Sequence, residues 1–266
     1  MDVALPVPLL QSLLGSYPPP QIIDVRRSAA FTADPVVIPG AIRCPPDTLA
    51  AIGARLEPWR PVVVHCARGH EVGRDAALFL RERGFDACYL EGGLAAWRDV
   101  GGAVTAFAPP TRWVTRARPK IDRIACPWLI RRFIDPAAEF FYVPAPEVRA
   151  FGEAQGATPY DIPDVAYSHD GPACSFDAFI RRHALADPAL DRLATIVRGA
   201  DTAALELAPQ APGLLAVSLG LSQLFIDDHA MLRWGMLVYD ALYAWCRNAS
   251  AEAHGWNPAT LRAVAG

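Results

Sequence analysis

Short runs of β-branched and other apolar residues alternate with helix-periodic stretches through the first hundred positions. Leu9 to Leu14 predicts a short apolar helix, and Pro18-Pro19-Pro20 stops it, because proline has no N–H to continue the ladder. Gln21 to Arg26 reads as a buried strand ending in charges, followed by a proline-rich irregular stretch from Phe31 to Pro46. A helix over Thr48 to Leu56 precedes the run Val62-Val63-Val64, which ends at His65-Cys66 and a loop holding Gly69. The spacing then predicts a helix over 74–83 closed by Gly84, a strand from Ala87 to Leu90, a turn at Glu91-Gly92-Gly93 and a helix from Leu94 to Asp99. Strands alternating with helices in this order imply a mostly parallel α/β sheet with helices on both faces. In such sheets sites lie at the carboxyl ends of strands, and Cys66 falls at one of them.

The period is lost between Gly101 and Pro110, where small residues and prolines take over, so the boundary belongs there. We expect one domain over 1–106, a linker over 107–112 and a second, mixed and helix-rich α/β domain over 113–266. Its pattern gives strands at Trp113 to Thr115 and Glu139 to Val143 and helices at about 121–133, 145–155, 176–183 and 187–198, Ser175 capping the third. Pro127 falls inside the first of these helices, where it forces a start or a kink. A long helical pair follows, Gly213 to Phe225 and Asp227 to Arg247. In the second of the pair, Met231, Trp234, Leu237, Val238, Leu242 and Trp245 recur at helical spacing and predict a core face.

Composition adds exclusions. Hydrophobic residues at 52%, charged residues at 20% and a formal net charge of −3 describe a globular chain with no general pull toward nucleic acid or anionic membrane. Six cysteines without a CxxC pair argue for free thiols in a reducing compartment. The first twenty residues carry Asp2, no basic cluster and several prolines, which is not the pattern of a signal peptide. The longest apolar run, 213–225, is well short of the ~20 residues that span a bilayer. We therefore expect a soluble, cytoplasmic protein with no membrane partner. The composition leaves oligomeric state open.

Three sets of residues are candidates for chemistry. The first is Cys66, which faces backbone N–H groups and the positive end of the following helix, an arrangement that favours negative charge on or beside the sulfur. Cys44 and Cys88 have no such loop behind them and read as core. The second is the basic run from Arg112 to Arg132, seven cations against the single acid Asp122, within which Arg116, Lys120, Arg123 and Cys126 form a candidate oxyanion pocket. The third is a polar stretch from Tyr160 to Asp177. There His169 and Cys174, with His229 and Asp227 or Asp228 further on, are ligand types for a divalent metal, and Cys126 is a further candidate.

Four motifs in order, Asp24-Val25-Arg26, Ile38-Pro39-Gly40-Ala41, VVVHC followed by a loop and helix, and GFDACYLEGGLAAW, resemble a rhodanese (sulfurtransferase) domain over about residues 3–106. The resemblance implies that Cys66 carries sulfur as a persulfide and that Ala67, Arg68, Gly69, His70, Glu71 and Val72 wrap it, with Asp24 and Arg26 among the anion- and loop-binding residues. It calls for no cofactor in this domain and for a small sulfur donor and a thiol acceptor as partners. The loop is about one residue longer than in common single-domain rhodaneses, which approaches the related cell-cycle phosphatases. Val72 stands where those enzymes keep a phosphate-binding arginine, so phosphatase chemistry is not expected. Glu71 opposes an anion unless Arg68, His70 or Arg74 offsets it.

The segments TRARPKIDRIACPWLIRRFIDP, SHDGPACSFD and FIDDHAMLRWGMLVYDALYAWCR resemble the C-terminal domain of the chromate resistance ChrB family, roughly Arg112 to Arg247. That resemblance points to chromate or another oxyanion as a partner. The rhodanese-like half stands where that family carries an N-terminal regulatory domain, so nucleic acid is not an expected partner.

Overall fold

The computed structural model describes residues 3–251, so the last part of the expected 113–266 domain lies outside the described residues. The first half runs β1 (Ala4–Leu5), α1 (Val7–Leu14), β2 (Gln21–Asp24), α2 (Ser28–Ala33), β3 (Val36–Val37), β4 (Ile42–Arg43) and α3 (Leu49–Ile52). It continues with β5 (Val62–His65), α4 (Glu71–Arg81), β6 (Ala87–Leu90), α5 (Gly93–Asp99) and β7 (Thr105–Ala106). Five strands form one parallel sheet in the order β1-β6-β5-β2-β4. The continuous valine run follows from burial on both faces. Val62 and Val64 pack with Leu49, Ile52, Ala77 and Leu80 on one side, whereas Val63 packs with Leu10, Leu94 and Trp97 on the other.

Two segments differ from the sequence pattern. The stretch expected to be irregular holds α2 and two short strands, of which β3 pairs antiparallel with β7 and ties the chain to this half as far as Ala106. Helix α4 begins at Glu71 rather than at 74, with His70 as its N-cap. Glu71 and Val72 are therefore first-turn residues, not loop. A carboxylate in the first turn complements the helix dipole, which gives Glu71 a structural reason to be there.

The second half contains β8 (Arg112–Arg116), α6 (Asp122–Leu129), β9 (Glu139–Val143), α7 (Val148–Gln155), β10 (Thr158–Pro159), α8 (Ser175–Arg182), α9 (Pro188–Asp201), α10 (Ala211–Leu224) and α11 (Asp228–Ala244). Arg112, assigned to the linker by its composition, opens β8. The strands form a three-stranded parallel sheet, β10-β8-β9, and the other regular elements of this half are helices, with a turn-rich stretch over 160–174. Pro127 stays inside α6. A proline there cannot donate to the carbonyl four residues back, and the freed Arg123 carbonyl accepts instead from the Tyr160 and Tyr142 hydroxyls at 3.3 and 3.5 Å. Cys174, not Ser175, caps α8, its N–H donating to Asp177 at 2.9 Å.

Helix α11 buries Met231 as its spacing suggests and packs Val238, Leu242 and Trp245 against the core, but the stripe is centred further round, on Leu232, Gly235, Met236, Tyr239 and Tyr243. Trp234 is 40% exposed and Leu237 38%. The Trp234 ring lies at the edge of this stripe, stacked on Phe225 at 6.4 Å and 5.9 Å from the ring of Trp59 in the first half of the chain. The two halves meet over a buried polar node. Arg132 donates to Asp240 at 2.7 Å and to Glu57 at 2.5 Å, and all three side chains are at most 5% exposed. Asp240 also accepts from Tyr17 and Trp128, each at 2.8 Å, and from Trp59 at 3.2 Å. Among the described residues no helix is long and apolar enough to cross a membrane.

Candidate functional site

Cys66 sits at the carboxyl end of β5, directly before α4, and is 6% exposed. Its Sγ accepts the Gly69 N–H at 3.2 Å. Gly73, in the first turns of α4, lies under the sulfur, where a β-carbon would come within 3.4 Å of it. The other side of the loop is tied to α5, whose free N-terminal N–H groups at Leu94 and Ala95 donate to the carbonyls of Cys66 and Ala67 at 2.9 and 3.0 Å. Gly93 (φ +60°) and Gly69 (φ +69°) touch at this seam. A β-carbon on Gly93 would lie 2.4 Å from the Cys66 carbonyl oxygen. The sequence shows Gly92 and Gly93 only as a turn; their contact with the cysteine loop needs the parallel sheet to bring β5 beside β6.

The sulfur opens on a cleft of about 660 Å³ lined by the loop residues Ala67 to His70, by Glu71, Val72 and Arg74 of α4, and by Arg26, Arg27 and Tyr89. Arg27, Arg68, His70 and Arg74 are exposed there, and Glu71 is the one acid among them. Asp24 and Arg26 do not act as free anion binders. Asp24 is fully buried and holds the Arg26 guanidinium by several contacts, the shortest 2.5 Å, while Arg26 also donates to the carbonyls of Asp34 and Val36 at 2.9 and 2.6 Å. The pair braces the chain after β2. His65, just before the nucleophile candidate, is buried with both ring nitrogens unpartnered among the described residues, and burial pushes its pKa down, so it packs as a neutral ring. Cys88 is core, its thiol pushed up to about 11 by burial and the nearby Asp86 charge. Cys44 is likewise buried and raised by desolvation.

The basic run does not form an oxyanion pocket. Arg116 and Arg123 both reach Asp161, at 2.7 and 3.3 Å, and Arg123 also binds the carbonyls of Arg116 and Ala117. Cys126 is fully buried, and burial together with the Asp122 charge raises its thiol well above the usual range. Arg112 pairs with Glu139, Arg131 binds the Ala138 carbonyl, and Arg132 belongs to the node between the halves. Six of the seven cations are thus committed to partners within the chain, and among the described residues Lys120 is the exception. Arg118 clamps the C-terminal end of α10 by donating to the carbonyls of Ser222, Phe225 and Ile226. Arg118→Ala is expected to cost about 1–2 kcal/mol, the scale of hydrogen bonds from a charged donor, read as a shift in the urea midpoint. An unchanged midpoint would show that the clamp contributes nothing.

Nor do the four metal candidates converge. Cys174 is the buried cap of α8, its thiol raised far above the usual range by burial and the Asp122 charge. Asp228 accepts the Arg118 N–H, and the His229 ring lies against Tyr142, 5.6 Å between centroids, in a pocket with Arg131 and Arg233. His169 instead faces carboxylates: its Nε2 is 3.3 Å from Asp122, 3.4 Å from Asp161 and 3.2 Å from Asp201. Asp201 is pushed up to about 7 by burial and by the charges of Asp122 and Asp161. His169 is raised to about 9, mainly by the Asp122 carboxylate beside it. The sequence pattern flagged Asp122 as the lone acid of the basic run and Asp161 within the polar stretch. Asp201 carried no local signal, being the last residue of an ordinary amphipathic helix.

A cysteine in a strand–loop–helix turn on a parallel sheet of this order defines a rhodanese-like domain, and the family profile described as "Rhodanese-like domain" matches residues 8–99. The profile described as "ChrB, C-terminal domain" matches residues 113–246. The chain belongs to the ChrB C-terminal-domain family, with a rhodanese-like domain ahead of that region. Protein ChrB of Cupriavidus metallidurans is 34% identical over 133 residues, 50% of this chain and 40% of that protein, so the chain spans well under half the length of that relative. A rhodanese-like domain protein from Staphylococcus aureus is 26% identical and covers 40% of this chain and 100% of its own, with a TM-score of 0.35. The Alr3790 protein from Anabaena sp. is 33% identical over 39% of this chain and 80% of its own, also with a TM-score of 0.35.

Proposed function

We propose that the protein is a sulfurtransferase of chromate or oxyanion stress, working in a reducing compartment through a persulfide on Cys66. The observation that carries this reading is the Gly69 N–H pointing at the Cys66 sulfur at 3.2 Å, at the mouth of a cleft with four exposed cationic or basic side chains and one acid. The Cys66 thiolate attacks the outer sulfur of an anionic donor such as thiosulfate. An S–S bond forms on the enzyme, the donor's own S–S bond breaks, and sulfite leaves with the bonding pair. An acceptor thiolate then attacks the persulfide sulfur and returns Cys66 as a thiolate. Arg27, Arg68 and Arg74 suit the negative charge of the donor, and the Gly69 N–H and the start of α4 suit charge on sulfur during transfer. The domain's own residues supply each of these roles, so no cofactor enters the scheme.

The chromate setting rests on the family of the second domain and on the ChrB relative. Committed arginines in 112–132 support a small-molecule role over nucleic-acid binding. The test is an intact mass after incubation with thiosulfate. Wild type is expected to gain one sulfur atom that excess cyanide or dithiothreitol removes, and Cys66→Ser to gain none. A wild-type chain that never acquires the sulfur, or a mutant that does, overturns the reading.

A further inference from the structure

We propose that Asp122, His169 and Asp201 form a three-ligand site for a divalent first-row cation, zinc fitting best, with a further position open to solvent. One donor atom from each residue lies within 4.8 Å of the other two, and Asp161 flanks them. The contacts are not those of an ordinary histidine ion pair. The Nε2 atom carries at most one proton, yet it faces three carboxylate oxygens at once, at 3.2, 3.3 and 3.4 Å. Charge-assisted N–H···O bonds close to about 2.7–2.9 Å when they are formed. Ligands about 2.0–2.2 Å from a zinc ion at tetrahedral angles stand about 3.3–3.6 Å apart. The nitrogen–oxygen spacings in this cluster therefore suit neighbouring ligands of one ion better than hydrogen-bond partners.

The surroundings are also those of a metal site. The Asp122 carboxylate accepts the Ser175 N–H at 3.2 Å, an outer hydrogen bond of the kind that orients a liganding carboxylate, and the Ser175 hydroxyl donates to the flanking Asp161 at 3.0 Å. Asp161 is taken up by Arg116 and Arg123, which leaves Asp122 and Asp201 to the imidazole. Asp122 and Asp201 are 2% and 14% exposed while His169 is 41% exposed, so the site has rigid carboxylate walls and a wet mouth. Three protein ligands with an open position describe catalytic rather than structural zinc sites. One imidazole and two carboxylates, with no sulfur, exclude soft ions such as Cu(I) and admit zinc and manganese.

The proposal is independent of Cys66, and its test can be run in the Cys66→Ser background so that the cleft thiol cannot bind metal. The full chain is stripped with a chelator and titrated with zinc against a chromophoric competitor. One equivalent is expected to bind, and His169→Ala and Asp201→Asn each to weaken it at least 10-fold while the far-UV circular dichroism is retained. Asp201→Asn, nearly isosteric, remains decisive if His169→Ala proves unstable. Substituting cobalt should give a d–d absorption band that both variants lose. No binding at 100-fold excess over protein, or an affinity unchanged in Asp201→Asn, overturns the site.

Discussion

Asp240→Ala is expected to destabilise the protein by roughly 3–5 kcal/mol, the cost of breaking a buried ion pair by removing one partner. The carboxylate accepts from Arg132, Trp128, Tyr17 and Trp59, and the last two belong to the rhodanese-like half. Its loss strands two indole N–H groups and a phenol. It also leaves Arg132 and Arg60 sharing the single buried charge of Glu57. For a chain of this size 1 kcal/mol moves the melting temperature by about 2–4 °C, so a fall of about 10 °C is expected. Asp240→Asn keeps an acceptor oxygen and should fall between the two. A loss under about 1 kcal/mol for Asp240→Ala would show that water enters the seam and replaces the carboxylate.

The same node gives the protein an acid limit. Burial pushes the Asp240 carboxyl upward, but hydrogen bonds and charge from Arg132, with Trp128 and Tyr17, hold it below the ordinary carboxylate range. A carboxyl with a depressed folded value contributes stability that is fully present above its unfolded value of about 3.9 and lost as pH falls through the folded one. Denaturant midpoints measured from pH 6 downward should therefore decline more steeply for wild type than for Asp240→Asn, the two converging in acid. Parallel curves would remove Asp240 from the acid transition.

How much of this was legible in the sequence depended on how local the cause is. The Val62–Val64 run, bounded by proline and a glycine loop, carries its strand and its nucleophile candidate in about ten consecutive positions, and no distant residue is needed to read it. The 112–132 run shows the opposite case. Seven cations look like a binding surface until their partners are known, and those partners, Asp161, Glu139, Ser222, Asp240 and Glu57, are scattered across the chain. His169 was readable as a ligand type, but its companions were not. Asp122 opens α6 and Asp201 closes α9, and only the packing of those helices brings the carboxylates to one imidazole. Trp234 is a similar case: its spacing puts it on the core face, but its neighbour Trp59 lies in the other half of the chain.

Gly93→Ala is expected to slow persulfide formation about 100-fold, because displacing reacting groups by a fraction of an ångström to 1 Å costs on that order. The added carbon would stand 2.4 Å from the Cys66 carbonyl, 2.6 Å from the Gly69 nitrogen and 2.8 Å from the Arg68 nitrogen. All three are backbone atoms of the loop that holds the sulfur, so no flexible side chain can yield, and the loop must move away from α5. That motion drags the Gly69 N–H off Cys66. Gly84→Ala separates this effect from simple backbone strain. Gly84 has φ +86° with nothing within 4 Å of the added carbon, so the left-handed penalty of about 1–2 kcal/mol should appear in its stability while sulfur transfer stays at the wild-type rate. The measurement is the rate of sulfur uptake from thiosulfate by rapid-quench mass spectrometry, with stability followed in parallel. A Gly93→Ala chain that keeps more than half the wild-type rate would mean that the seam between the cysteine loop and α5 does not set the position of the sulfur.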